Sequence, residues 1–261
     1  RDTLWREVGG MIAKTIGLFG YGQFGAFLGK YLTQLGTVKV YDPILKSEER
    51  TTAGITIVET PEEAAKADVL IFAVPLDKLD ALVFQIKDAV LPVALLLDVT
   101  SVKMKPLAIL RSHFPNHQIL GTHPIFGPQS GKDGIEGLPI VLCNESWQKE
   151  NYEWLKSAFA DTLKLKVIEK TAEEHDREMA YVQGLSHLIG RALSLMNIPP
   201  VESVTKSYAH LIELRDILKD DSWELFKTIQ SGNPFVEAVR KEFEQKVVDL
   251  EERLNGEQKR A

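Results

Sequence analysis

Short apolar runs alternate with helix-like patterns through the first two-thirds of the chain. This alternation is typical of β-α-β units, in which crossover helices join parallel strands. The runs around residues 70 and 95 are almost unbroken, which indicates strands buried on both faces of a mainly parallel sheet. We predict strands at 15–19, 37–41, 68–73, 93–98, 118–122, 138–143 and 163–168, and helices at 23–35, 61–66, 77–88, 103–112 and 147–160.

From about residue 170 onwards the pattern is helical only. Thr171 and Glu174 form a capping box, which predicts a long helix that runs to about 197 and ends before Pro199-Pro200. Further helices are predicted at 202–218, 222–231 and 234–254. The fold class expected is α/β, with a doubly wound, mainly parallel sheet in residues 1–169 and an all-α domain in residues 170–261.

The last predicted helix carries an apolar stripe with spacings of four and three residues. The stripe consists of Phe235, Val239, Phe243, Val247, Leu250 and Leu254. An apolar stripe on a helix has to pack on something. A bundle within one chain and a helical dimer interface both satisfy this pattern, and the sequence leaves the two open.

One turn near the start of the chain has the pattern of a dinucleotide-binding loop. The apolar run Ile16–Phe19 leads into G-x-G-x-x-G, and a helical pattern follows. Such a turn lets the backbone approach a pyrophosphate and directs helix N-terminal N–H groups at it. Asp42 ends the next apolar run, 22 positions after Gly20, where a ribose-binding acid is expected. The alternative is a turn that only packs a helix onto the sheet. The candidate cofactor-binding residues are Gly20, Tyr21, Gly22, Gln23, Phe24, Gly25 and Asp42.

Composition and charge narrow the function classes. The net charge of −6 and the lack of a basic tract argue against a nucleic-acid partner. The longest apolar runs are too short to span a bilayer, and we see no signal peptide. The single cysteine, Cys143, excludes an internal disulfide framework and suits a reducing compartment, so a cytoplasmic protein is expected. The chain begins with Arg1 rather than Met, so a further domain before it stays possible.

Two predicted strand ends carry a second group of candidate residues. Ser101 follows the strand at 93–98, and His123 follows the strand at 118–122. Ligands of doubly wound sheets bind at this edge, and histidine exchanges protons near neutral pH. His123 is therefore a candidate acid/base with Ser101 as its helper, or else a residue that only caps its strand.

The helix that begins near 171 supplies a third group. Gln183, His187 and Arg191 have a spacing of four and form one polar line on a helix that is otherwise mostly apolar and is therefore expected to be largely buried. The line either satisfies its own hydrogen bonds or faces a polar ligand between the domains. Arg215, on the next helix, forms an internal ion pair or binds a substrate carboxylate. No histidine pattern has zinc-ligand spacing, so no metal is expected.

Taken together, these motifs resemble the prephenate/arogenate dehydrogenase family over nearly the whole chain. The matching segments are G-Y-G-Q-F-G (20–25), A-V-P (73–75), D-V-T-S-V-K (98–103), G-T-H-P-I-F-G-P-Q-S-G (121–131) and E-H-D-x-x-x-A-x-V-Q-x-L-S-H (174–187). The resemblance implies an N-terminal Rossmann-type domain that binds NAD and a C-terminal helical domain that binds substrate and dimerises. It also implies oxidative decarboxylation of prephenate or L-arogenate on the route to tyrosine.

The resemblance assigns roles to individual residues. His123 matches the catalytic histidine that hydrogen-bonds the substrate's ring hydroxyl, and Ser101 matches the serine that assists it. His187 and Gln183 match substrate-binding residues, and Arg215 matches, more loosely, an arginine for a substrate carboxylate. Val74 and Pro75 lie in the matching A-V-P segment, and the resemblance implies that they bind the cofactor.

Two specificity questions follow from these assignments. Asp42 is expected to bind the adenosine ribose hydroxyls and to repel a 2′-phosphate, which favours NAD over NADP. Asp221 is a candidate partner for the ammonium group of arogenate, or else an acid that caps the helix before Trp223. Other readings of the chain are a β-hydroxyacid dehydrogenase-like oxidoreductase, which would need a helical-domain lysine such as Lys206 or Lys219, and an NAD-binding sensor without turnover.

Overall fold

The computed structural model describes residues 6–8, 11–45 and 53–258. The chain divides into two compact units, Arg1–Ala172 and Glu173–Ala261.

The first unit is built on a sheet whose strands match the predicted apolar runs closely. Its strands are β1 (Arg6–Val8), β2 (Met11–Phe19), β3 (Gly36–Tyr41), β4 (Ile55–Ile57), β5 (Val69–Phe72), β6 (Leu95–Asp98), β7 (Gln118–Pro124), β8 (Pro139–Asn144) and β9 (Lys166–Glu169). The order is β4-β3-β2-β5-β6-β7-β8-β9, and β1 pairs with the start of β2. From β4 to β7 all neighbours are parallel, in the strand order of dinucleotide-binding doubly wound sheets.

The far side of the sheet departs from this parallel arrangement. Strand β8 is antiparallel to β7, with His123 opposite Val141, and β9 is parallel to β8. Since β8 and β9 are parallel to each other and all neighbours from β4 to β7 are parallel, the prediction of a mainly parallel sheet is confirmed. The short strands β1 and β4 were not predicted, because three-residue segments carry too little periodicity to recognise.

Helices cover the sheet, and two apolar cores lie between the layers. The helices are α1 (Gln23–Leu32), α2 (Pro61–Ala65), α3 (Leu76–Ile86), α4 (Met104–His113) and α5 (Lys149–Ser157), which continues as a π-helical turn over Ala158–Thr162. All four residues of β5 and of β6 are buried, as expected for strands covered on both faces. Strand order reverses between β2 and β5, and ligands of such sheets bind at this point.

The second unit is helical throughout the part that the structure describes. It comprises α6 (Ala172–Met179), a π-helical segment (Ala180–Leu185), α7 (Ser186–Leu195), α8 (Lys206–Leu218), α9 (Trp223–Lys227), a second π-helical segment (Thr228–Gly232) and α10 (Val236–Gln258). The first three form the one long helix predicted from 171 to 197. Helices α7 and α8 pack closely, since a Cβ at Gly190 would lie 2.7 Å from Leu218 Cδ1.

Burial in the second unit differs from the expectation. The sequence pattern suggested that the long helix is largely buried, but Tyr181, Val182 and Leu195 are exposed and α8 buries no residue. The stripe of the last helix is split in the same way: Val239 is buried, whereas Val247, Leu250 and Leu254 are exposed. Among the described helices, none is long and apolar enough to cross a membrane.

Candidate active site

The glycine-rich turn joins β2 to α1 and needs glycine at two positions for its own shape. Gly20 has a φ of +91°, in the region that favours glycine, and a Cβ there would lie 2.5 Å from the Ala73 carbonyl oxygen. A Cβ at Gly25 would collide with the carbonyl oxygen of Gly20. These two glycines therefore allow the helix and the turn to pack closely together.

Gly22 is different, because the packing of the chain does not require it. A Cβ built on Gly22 would meet no atom of the described residues within 4 Å. Gly22 is also the N-cap of α1 and offers no side chain to the free N–H groups of the first turn, which Gln23 and Phe24 begin. A bare helix N-terminus behind an open glycine is the arrangement in which a pyrophosphate replaces the capping side chain.

Asp42, directly after β3, is bound to the turn. Its Oδ2 accepts a hydrogen bond of 2.7 Å from the backbone N–H of Tyr21, and its Oδ1 accepts one of 2.9 Å from that of Ile44. Each carboxylate oxygen has a second lone pair, so the group keeps acceptor capacity for ribose hydroxyls. The predicted ribose-binding acid therefore also fixes the position of the glycine-rich turn.

Val74 and Pro75 lie on the other side of the point where strand order reverses. They follow β5, and Pro75 is the N-cap of α3. The Val74 Cγ1 atom would lie 3.2 Å from a Cβ on Gly20, so the A-V-P segment contacts the glycine-rich turn. The structure thus brings the predicted cofactor-binding residues of β2, β3 and β5 to one edge of the sheet.

The ends of β6 and β7 are joined by a buried ion pair that sequence reasoning missed. Asp98 and Lys103 are both fully buried and form a salt bridge. Lys103 Nζ also donates to the Thr122 carbonyl oxygen at 2.6 Å, and the Thr122 hydroxyl donates to the Asp98 carbonyl oxygen at 2.8 Å. Asp98 Oδ1 accepts from the Thr100 N–H at 3.0 Å. The sequence did contain a signal for this buried pair, because Asp98 is a charged residue directly after a fully apolar run.

This ion pair lies next to the two candidate catalytic residues. His123 follows Thr122 within β7 and is buried, and Ser101 is half-buried in the loop that Asp98 holds. Because β6 and β7 are parallel neighbours, both residues lie at the same sheet edge as the glycine-rich turn. Among the described residues, no group of three or more His, Cys, Asp or Glu could hold a metal ion.

In the second unit, the structure brings His187, Arg191 and Asp221 together. His187 Nδ1 lies 3.4 Å from Asp221 Oδ2, and an Arg191 guanidinium N–H donates to the Asp221 carbonyl oxygen at 2.7 Å. The Arg191 guanidinium also lies 5.4 Å from the ring centre of Phe226. The polar line of α7 is therefore partly satisfied within the unit, by the turn between α8 and α9.

Burial sets the protonation of this cluster. Burial and the nearby Arg191 cation lower the pKa of His187 to about 4, from an ordinary value of 6.5. Burial raises the pKa of the Asp221 carboxyl, and Arg191 opposes that effect. Near neutral pH the His187 imidazole is therefore neutral.

The remaining candidates of the second unit have other surroundings. Gln183 lies half-buried in the π-helical segment, one turn before His187. Arg215 pairs at 2.9 Å with its exposed sequence neighbour Asp216, which leaves both alternatives considered for Arg215 open. Ser222 rather than an aspartate caps α9, since its hydroxyl accepts from the Leu225 N–H, so the capping role considered for Asp221 is wrong.

The match to a family model identifies the class of protein. Residues 28–168 match the nucleotide-binding domain of prephenate dehydrogenase, and residues 192–261 match a TYRAAT1-like C-terminal domain. The chain belongs to the prephenate dehydrogenase family. The chain is 28% identical over 85% of its length to arogenate dehydrogenase 2, chloroplastic, from Arabidopsis thaliana. It is 29% identical over 70% of its length to a probable arogenate/prephenate dehydrogenase from Methanocaldococcus jannaschii. The chain spans 64% of the first relative and 42% of the second.

Solved structures show the same fold. Prephenate dehydrogenase from A. aeolicus, in complex with hydroxyphenyl propionate and NAD+, superimposes with a TM-score of 0.73 at 19% identity, over 95% of this chain and 92% of that one. Synechocystis arogenate dehydrogenase gives a TM-score of 0.69 at 18% identity, over 94% and 93%. Both units of this chain therefore have counterparts in these enzymes.

Proposed function

We propose that the chain catalyses the NAD-dependent oxidative decarboxylation of prephenate, L-arogenate or both, a step toward tyrosine. One observation carries the proposal: an open, uncapped glycine turn, His123 and Ser101 follow strands whose ends lie at the same edge of one sheet. Family membership supports the same reaction. The two similar relatives above are named for arogenate or for both substrates.

The residues present fit a dinucleotide. The helix N-terminus behind Gly22 offers N–H groups to a pyrophosphate, and Asp42 offers acceptors to the ribose hydroxyls. When bound, NAD accepts the hydride that the carbinol carbon of the substrate loses. The other steps belong to the protein and the substrate.

His123 is the proposed base. It accepts the proton of the ring hydroxyl as the carbinol is oxidised, and Ser101 orients the ring or the hydroxyl. Loss of the ring carboxylate as carbon dioxide then makes the ring aromatic, so that step needs little help from the protein. The main work of the chain is to hold the substrate in a reactive orientation, for which we propose Gln183, His187 and Arg215.

The test is turnover of the purified protein with NAD and either substrate, followed as absorbance at 340 nm. His123→Asn should lower kcat by at least about a hundredfold, because a positioned base typically contributes that much. Affinity for NAD should stay unchanged. His113→Asn is the matched control, since His113 pairs with Asp80 on the outside of the same unit. Full activity of His123→Asn would contradict the proposal.

We also propose that the cofactor is NAD rather than NADP. The Asp42 carboxylate, fixed by two backbone N–H groups, would repel a 2′-phosphate. Replacing Asp42 by Ser and Pro43 by Arg should shift the ratio of kcat/KM values toward NADP. An unchanged ratio would refute the role of Asp42.

Asp221 is the proposed selector between the two substrates. Arogenate carries an ammonium group where prephenate carries a keto group, and a half-buried carboxylate favours the cation. Asp221→Asn should lower kcat/KM for arogenate more than for prephenate. Equal effects on both substrates would remove the assignment.

We further propose a homodimer formed through the helical unit. Most of the exposed large apolar side chains among the described residues lie there, including Leu195, Leu211, Leu250 and Leu254. Contiguous exposed apolar surface marks association sites. Leu250→Glu should yield a monomer in light scattering, whereas Val93→Glu, on an exposed residue of the first unit, should not. A wild-type monomer at micromolar concentration would contradict this.

The proposed location is the cytoplasm. The single cysteine, Cys143, is a buried thiol and suits a reducing compartment. Fractionation of cells that make the protein from its complete gene tests this, and recovery outside the cytoplasmic fraction would contradict it.

A further inference from the structure

The helix that carries Gln183 and His187 changes its hydrogen-bond pattern between them. Residues Ala180–Leu185 form a π-helical segment, and α7 resumes at Ser186. A π turn holds an extra residue, so it rotates the following helix relative to the preceding one, and such turns are frequent at functional sites. The direction of His187 relative to Gln183 therefore depends on this segment keeping its shape.

Three consecutive carbonyl groups at the end of the segment accept hydrogen bonds. The Ser186 hydroxyl donates to Val182 O at 2.5 Å, and the Ser186 N–H donates to Gln183 O. The third, Gly184 O, accepts from the side-chain amide of Gln230 at 2.7 Å. Buried carbonyls need partners, and Gln230 supplies this one from a distant part of the chain.

Gln230 is built into its position. It is 6% exposed, lies in the second π-helical segment, and its Oε1 accepts from Arg240 at 3.3 Å. Gly184 lets the π turn approach the start of α10, because a Cβ there would lie 2.7 Å from Val236 Cγ2. The hydrogen bond and the close contact act on the same residue of the turn.

A second buried amide holds the other side of the turn. Asn233 is 4% exposed, and its Nδ2 donates to Asp176 O in α6 at 2.7 Å. Its Oδ1 accepts from the Phe235 N–H at 2.9 Å, which fixes the amide orientation. One short segment, 230–233, thus binds the long helix both before its π turn, at Asp176, and within the turn, at Gly184.

We propose that Gln230 is a positioning residue for substrate binding: its amide holds the π turn and thereby sets His187 and Gln183 in their binding directions. This inference rests on the proposed function. Gln230 acts through the backbone of the turn, at the Gly184 carbonyl oxygen, and not through the side chains of Gln183 and His187.

The experiment replaces Gln230 by Met, which keeps the length of the side chain and removes both polar atoms. We expect the KM for prephenate or arogenate to rise about tenfold. The reason is that the loss of one buried hydrogen bond changes the orientation of His187 and Gln183. The KM for NAD and kcat should stay within about twofold, since a positioning role for binding leaves the first unit untouched. Amide hydrogen exchange over residues 180–187 should become faster.

The matched control is Gln245→Met on α10, where an exposed glutamine donates to Asp249 Oδ1 at 2.9 Å. A second variant tests the same turn without touching Gln230. Gly184→Ala should raise the substrate KM, and Val236→Ala in that background should restore it by making room. Gly184→Ala and the double variant also test the proposal if Gln230→Met does not fold.

The inference is overturned if Gln230→Met behaves like Gln245→Met in both KM and exchange. It is also overturned if all kinetic constants fall together with stability, because that is a structural role only. If the wild-type chain turns over neither substrate, the proposed function fails. The exchange over residues 180–187 then still decides whether Gln230 holds the turn, and unchanged exchange refutes it.

Discussion

Lowering the pH tests how His187 is held in the second unit. Burial is the larger cause of its low pKa, about 4, and the Arg191 cation is the smaller. The unfolded chain binds a proton at this histidine near pH 6.5, whereas the folded chain does not until about pH 4. Unfolding therefore takes up a proton in this window, and stability falls as the pH falls through it.

The magnitude follows from the shift. Each pKa unit corresponds to about 1.4 kcal/mol, so the loss between pH 6.5 and 4 amounts to about 3 kcal/mol, with no further loss below the folded pKa. His187→Gln removes the titrating group and with it this part of the pH dependence. His210→Gln, at an exposed histidine of α8, should behave as wild type.

Two measurements check the reasoning. NMR of labelled imidazoles should give a midpoint near 4 for His187, and urea unfolding of the wild-type and His187→Gln proteins should converge as the pH falls toward 4. In Arg191→Met the midpoint should rise but stay below 6.5, because burial remains. A wild-type midpoint between 6 and 7, or parallel unfolding curves for the two proteins, would refute the reasoning.

The remaining predictions concern the first unit. Gly22→Ala should leave the thermal midpoint close to wild type and weaken NAD binding, whereas Gly25→Ala should lower stability, because its Cβ meets backbone. Calorimetry measures the stability of each variant, and titration with NAD measures its binding. Equal stabilities of the two variants would contradict the assignment. Lys103→Met should destabilise by about 3–5 kcal/mol by leaving the Asp98 carboxylate buried without its cation. Asp98→Asn combined with Lys103→Met should recover much of that loss in chemical denaturation, and no recovery would show that the ion pair is not the cause.

The sheet was predictable because burial on both faces leaves a direct trace in the sequence. The runs at β5 and β6 consist almost wholly of apolar residues, and each is buried throughout. The glycine turn was predictable for a similar reason, since two glycines of G-x-G-x-x-G, Gly20 and Gly25, stand where a Cβ would collide with backbone. The edge strand β4, Ile55–Ile57, has no such trace, because it has only three residues.

Hydrogen-bond patterns that change within a helix were not predictable. The apolar spacing of the long helix is nearly the same whether a turn is α or π, so the segment 180–185 was read as a plain helix. The Asp98–Lys103 pair was missed because charges in a sequence are assumed to be solvated. The exposure of Tyr181, Val182 and Leu195 was missed because apolar residues predict burial without indicating whether their own chain provides it.

In the proposed function, the hydrogen bond from the Tyr21 N–H to Asp42 links the choice of coenzyme to the shape of the proposed pyrophosphate-binding loop. Replacing this acid so that a phosphorylated ribose can bind also removes one hydrogen bond that holds the loop. Relatives that use NADP should therefore have another hydrogen bond at the same place, or bind both coenzymes more weakly.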